Sequence, residues 1–205
     1  MTIDDILSAA RVVPVIEIDD AARAGDLGRA LLAGGVRVAE LTMRTPAALD
    51  ALKAIKSDVP GLIVGMGTII APEQADAAKA AGADFLVTPG TTPRLAAAVL
   101  ATGLPALPGI ATVGEAIALL EAGFARQKFF PAEAAGGVAF LKSIAGPVPA
   151  ITFCPTGGIS VEKARDYLAL SNVACVGGSW VAPRAMIASG DWASIENNAR
   201  QAAAL

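Results

Sequence analysis

Short runs of Val, Ile and Leu alternate along this chain with alanine-rich segments of helical composition, and that alternation leaves few folds open. Strands separated by helical patterns read as βαβ units, in which parallel strands pair side by side and the helices pack outside. A helix over Ile3–Ala10 leads into a strand over Val12–Ile18. Strands over Val36–Thr42, Leu62–Met66, Ala83–Thr88 and Pro105–Pro108 precede helices expected near Pro46, Pro72, Pro93 and Val113. The sixth strand lies in the run Arg126–Glu133, ahead of a helix from about Val138, and Ala150–Cys154 precedes a helix from Val161. Val173–Val176 is the eighth strand, with helical segments after it. A helix beginning at a proline loses nothing, because the missing N–H would have had no partner there.

Eight such units in 205 residues fit the lower size limit of a (β/α)8 TIM barrel, so the expectation is an α/β single domain over 1–205 with the opening helix as a cap. The alternative is an open doubly wound sheet. Against it, no Gly-rich dinucleotide fingerprint follows the first strand. A barrel places its functional side chains at the C-terminal ends of the strands.

Composition removes whole classes of chemistry. The chain has no histidine, which excludes Ser-His-Asp and Cys-His constellations and histidine acid–base catalysis. Cys154 and Cys175 both lie in apolar runs and read as small buried hydrophobes; two cysteines without histidine do not suggest a zinc site, and no metal or cofactor is expected. A net charge of −3 argues against a nucleic-acid surface. No apolar run reaches membrane-spanning length, and Met1–Asp5 is acidic where a signal peptide would be basic, so a cytoplasmic protein is expected.

What remains is chemistry on Lys, Glu, Asp, Arg, Tyr, hydroxyls and backbone. Lys128 stands in a short aromatic run, Arg126-Gln-Lys-Phe-Phe-Pro131, with no acidic residue before Glu133. Burial disfavours an ammonium and favours the neutral, nucleophilic amine, so a strand-borne lysine in apolar company is a candidate nucleophile. The bland reading is a lysine at a strand end that snorkels to water, its stem packed on Phe130. On the second strand Val36, Val38, Glu40 and Thr42 share a face, and Arg44 continues that parity. A carboxylate among Val, Ala and Leu needs a partner or a use. That partner could be structural, Arg37 or Arg44. If Glu40 and Lys128 both face the barrel axis, they point at the same space.

Two loops suggest an anion site. Thr156-Gly-Gly158 and Gly177-Gly-Ser179 follow consecutive strands, and paired glycines let backbone N–H groups close around an oxyanion. Gly65-Met-Gly-Thr68 offers a further hydroxyl at the same rim, although such a run alone is more often a turn. A phosphorylated small molecule is the favoured ligand class. A phosphate-binding barrel that isomerises or cyclises a sugar phosphate without metal, and a catalytically idle barrel serving as an assembly scaffold, are the other classes open to these residues.

Glu40-Leu-Thr-Met-Arg-Thr45, Gly65-Met-Gly-Thr68, Lys128-Phe-Phe-Pro-Ala-Glu133, Phe153-Cys-Pro-Thr-Gly-Gly-Ile-Ser160 and Gly177-Gly-Ser-Trp180 together resemble the 2-keto-3-deoxy-6-phosphogluconate aldolase family, in order and spacing across essentially the whole chain. The resemblance implies a class I, Schiff-base aldolase of the Entner–Doudoroff pathway, with 4-hydroxy-2-oxoglutarate as a further substrate. It implies Lys128 as the Schiff-base lysine and Glu40 as general acid–base. Arg44, Thr68 and Phe130 are implied at the pyruvyl end, with Pro89 also in the substrate site. Gly157, Gly158, Gly178 and Ser179 are implied at the phosphate end, and Thr156 at the position that governs selectivity. Pyruvate and a phosphorylated keto acid are the implied ligands, and a homotrimer the implied assembly. Met66 stands where alanine is commoner and, adjoining the pyruvate site, would be expected to alter affinity. Thr88-Pro-Gly-Thr-Thr92 departs from a serine-led version with leucine.

Overall fold

The computed structural model describes residues 1–205. Strands β1 (Val12–Ile16), β2 (Val38–Thr42), β3 (Ile63–Gly67), β4 (Phe85–Val87) and β5 (Ala106–Leu107) alternate with helices α2 (Ala24–Ala33), α3 (Ala48–Asp58), α4 (Pro72–Ala80) and α5 (Pro93–Ala101). Strands β6 (Gly109–Ile110), β7 (Arg126–Phe129), β8 (Thr152–Pro155) and β9 (Val176–Gly178) are separated by α6 (Val113–Glu121), α7 (Gly137–Ile144) and α8 (Val161–Leu168). Helix α1 (Ile3–Ser8) precedes β1, and α9 (Arg184–Ser189) and α10 (Trp192–Ala203) close the chain. No helix is long and apolar enough to cross a membrane.

All strand pairs are parallel, and together they form a curled α/β sheet. One sheet runs β5-β4-β3-β2-β1-β9 and the other β6-β7-β8. Single bridges, Phe153 to Val173 and Thr156 to Gly177, link the β8 and β9 segments. β5 and β6 are one extended run interrupted at Pro108, whose ring has no N–H to give a ladder. The predicted fifth strand stopped at that proline; the structure carries it on through Ile110.

The predicted eighth strand is displaced too. Gly177 and Gly178, expected in a loop, lie in β9 and pair with Val13 and Pro14 of β1. Glycine suggested a turn, but ladder pairing along β1 holds both residues extended.

Alternation along the strands sorts the core into two layers. Val13, Val38, Phe85, Val87, Leu107, Cys154 and Cys175 point inward and pack with Ile6 and Leu7 of α1. Burying Ile6 and Leu7 contributes about 1.5–3 kcal/mol each, which is what seats so short a helix. Arg126 of β7 adds an ion pair to Asp4 of α1 at 2.5 Å. Outward-facing Ile16, Leu41, Val64, Met66 and Phe129 join a cluster of 49 buried residues shared with the helices. Met66 therefore faces the helix layer, and the expectation that it adjoins a ligand site is corrected. Its neighbours Gly65 and Gly67 carry the inward parity of β3.

Candidate active site

Above the apolar inner layer, toward the C-terminal strand ends, the same inward positions become polar. Glu40 of β2 and Lys128 of β7 meet there, with Lys128 Nζ donating to Glu40 Oε1 at 3.0 Å and to Oε2 at 3.1 Å. Their residue exposures are 3% and 4%, so the lysine does not snorkel to water, and neither Arg37 nor Arg44 is the glutamate's partner. The amine also lies 5.5 Å from the centre of the Phe130 ring, within cation–π range. Two ions so deeply buried are tolerated only as a pair, because either alone would meet the full cost of desolvation.

Room for this pair comes from a glycine. A Cβ on Gly67 would collide with the Glu40 carboxylate. Gly67→Ala is expected to keep the fold but displace Glu40 from Lys128, and an ångström of misplacement costs about 10²-fold in rate. Turnover measured beside a thermal melt checks this; an unchanged rate in a folded variant would mean that Glu40 relaxes freely.

Lys128 lines a cavity of ≈110 Å³ together with Val15, Arg44, Phe130, Thr156, Gly157, Gly158, Ile159, Gly177 and Ser179, with Glu40 behind it. Thr156 is buried, and its hydroxyl occupies space that a side chain on Gly177 would fill. Gly157 and Gly158 have φ of +105° and +76°, which only glycine adopts without strain, and this curls the turn after β8. Across the mouth, Arg44 Nε donates to Thr68 Oγ1 at 3.2 Å. Thr68 itself has φ +58°, uncommon for a β-branched residue and of the kind that clusters at functional sites. A larger cavity of ≈390 Å³ adjoins this one and shares Val15, Arg44 and Ser179 with it.

Most of the predicted residues thus converge; Glu40, Thr68, Pro89 and Gly178 line neither cavity, but Glu40 is bonded to Lys128 and Thr68 to Arg44, which do. Pro89 backbone atoms lie where a side chain on Gly109 would stand, and the Trp180 ring covers the space beside Gly178. The inward glycine of that pair is Gly177.

Sequence reading missed a support beneath the glycine turn. Ala132 N–H donates to Thr156 O at 2.8 Å and Glu133 N–H to Gly157 O at 3.2 Å. The Glu133 carboxylate accepts from the Tyr167 hydroxyl at 2.5 Å and from Lys163. A Cβ on Gly158 would lie 3.0 Å from Glu133 Cβ and Cγ, so the Glu133 stem backs the turn. Hydrogen bonds from Lys163 and then Tyr167 hold the Glu133 carboxyl below the usual range, while burial, then Glu133, pushes the Tyr167 phenol up. Glu133 lies in the turn after the lysine strand, but Tyr167 comes 34 residues later on helix α8, a separation no local motif reports.

The family model described as KDPG and KHG aldolase matches residues 3–198. The 2-dehydro-3-deoxy-phosphogluconate aldolase of Pseudoalteromonas atlantica is 48% identical over 200 residues, covering 98% of this chain and 93% of the relative. The KHG/KDPG aldolase of Escherichia coli K12 is 47% identical, with 97% and 93% covered. Among solved structures, KDPG aldolase from Legionella pneumophila, with pyruvate captured as a covalent carbinolamine intermediate, is similar at a TM-score of 0.94 and 42% identity, over 97% of this chain and 96% of that one.

Proposed function

The chain belongs to the KDPG and KHG aldolase family, and from that premise we propose that Lys128 forms the Schiff base through which it cleaves 2-dehydro-3-deoxy-6-phosphogluconate to pyruvate and glyceraldehyde 3-phosphate. It is a carbon–carbon lyase, and the name of the E. coli relative supports 4-hydroxy-2-oxoglutarate, cleaved to pyruvate and glyoxylate, as a second substrate. The observation that carries the residue assignment is the buried contact of Lys128 with both oxygens of Glu40.

In this reading Glu40 takes a proton from Lys128, and the freed amine attacks the C2 carbonyl. Proton return to the C2 oxygen lets water leave, giving a protonated imine. The C3–C4 bond then breaks: its electrons flow into the imine to give an enamine, and the C4 hydroxyl proton passes to Glu40 as the aldehyde forms. Reprotonation at C3 and hydrolysis release pyruvate and restore Lys128. Arg44 and Thr68 hold the pyruvyl carboxylate, a planar group suited to a guanidinium. Phe130 packs beside it, and Thr156 stands next to the reacting carbons. Gly157, Gly158 and Ser179 take the phosphate, with Gly178, which lines neither cavity, serving only through its backbone next to Ser179, so both substrate ends are anchored and C3–C4 is held over the lysine. Pro89, which lines neither cavity, shapes the rim through its packing on Gly109, the strand neighbour of Lys128.

The same reading closes the two parallel sheets into one (β/α)8 ring, with β5 and β6 as a single strand, α1 as its cap and 1–205 as one domain. The β8–β9 bridges and the burial of Ile6 and Leu7 support it. A cytoplasmic homotrimer follows from the family resemblance.

Incubation with pyruvate and borohydride, then intact mass and peptide mapping, tests the assignment. A pyruvyl adduct on the Lys128 peptide is expected. Folded protein without an adduct would return Lys128 to a structural ion pair.

A further inference from the structure

The glycine turns that take the phosphate in the reading above offer amides and the Ser179 hydroxyl, but no cation of their own. Around Lys128 the cavity's only cationic groups are Arg44 and Lys128 itself, and both are engaged at the keto-acid end. A phosphate dianion gains most from charge-assisted, bidentate donors, which neutral amides do not replace.

A third cation stands next door. Arg184, the first residue of α9, lines the ≈390 Å³ cavity that shares Ser179 and Arg44 with the lysine cavity. Its Nε and Nη2 each donate to Asp19 at 2.6 Å, and its Nη1 donates to Glu17 at 2.5 Å. The Arg184 side chain is 57% exposed, and ion pairs that open to water hold their partners weakly. Giving them up strands neither carboxylate: Asp19 is itself 46% exposed, and Glu17 keeps Arg44 at 3.8 Å.

We propose that Arg184 is the cation for the substrate's phosphate, parked on Asp19 and Glu17 and exchanging those carboxylates for the phosphate beside Ser179 when a phosphorylated keto acid enters. The inference rests on the aldolase reading and extends it to a specificity-determining residue. While parked, Arg184 is neutralised, so an unphosphorylated substrate gains nothing from it.

The test compares KM for the phosphorylated substrate and for 4-hydroxy-2-oxoglutarate in Arg184→Ala and Asp19→Asn, with inorganic phosphate as a competitive probe. Arg184→Ala is expected to raise KM for the phosphorylated substrate about tenfold relative to the other, the size of one charge-assisted contact. Asp19→Asn, which loosens the parking site and touches no other cation, is expected to strengthen phosphate inhibition severalfold. KM values that move in parallel or not at all, or phosphate inhibition weakened by Asp19→Asn, would overturn the exchange. Pyruvate trapping in the same variants separates the outcomes: trapping with an unmoved KM ratio removes only the role of Arg184, whereas no trapping in the wild type removes the aldolase reading.

Discussion

Lys128→Met is expected to lower turnover by about 10⁴-fold or more and to abolish pyruvate trapping, because no other group can form the imine that stores the electrons of C3–C4. Lys53, Lys79, Lys142 and Lys163 are exposed, and Lys56 is half-buried against Asp84, so none of them stands in an apolar cavity. A borohydride-stable pyruvyl adduct on the Met variant would place the imine elsewhere. The variant carries a second, independent signature. Methionine fills the space of the lysine stem but leaves Glu40, 3% exposed, without its counter-charge. Removing one member of a buried ion pair typically costs about 3–5 kcal/mol. Urea melts should therefore show Lys128→Met destabilised, and addition of Glu40→Gln should recover a large part of that loss. Recovery in the double variant separates an uncompensated charge from simple loss of packing, since packing would not return.

The central pair was legible in the sequence because strand parity is a rigid rule. Glu40 lies at an inward position of a β-branched run, Lys128 at an inward position of an aromatic one, and a parallel sheet that curls brings those faces together. The same rule, applied to Gly65-Met-Gly-Thr68, would have turned Met66 outward; taking the run as a turn hid it. Gly67 and Gly177 were misread for a related reason. Glycine's usual meaning is conformational, yet these two serve by lacking a side chain where Glu40 and Thr156 need room. That use depends on a neighbouring strand. Contacts such as Tyr167 to Glu133 and Arg184 to Asp19 are set by how distant helices and loops pack around the sheet, and residue spacing carries no trace of them.

Glu40→Gln is the sharper test of mechanism, because it keeps the shape while removing the basicity, along with the counter-charge of Lys128. The amide oxygen can still accept from Lys128 Nζ, and the side chain still fits the space that Gly67 leaves open. It can no longer take up the proton of the amine, return one to the departing C2 hydroxyl, or collect the C4 hydroxyl proton as the aldehyde forms. Loss of a positioned acid–base group costs about 10²–10⁴-fold, so kcat should fall by that amount while KM for the keto acid stays close to its original value. The pyruvate adduct should still form on Lys128, slowly, since attack by the amine does not require Glu40 in principle and borohydride makes the product irreversible. A fall of only a few-fold would reduce Glu40 to a charge partner of Lys128 and leave a water or Thr156 to move the protons.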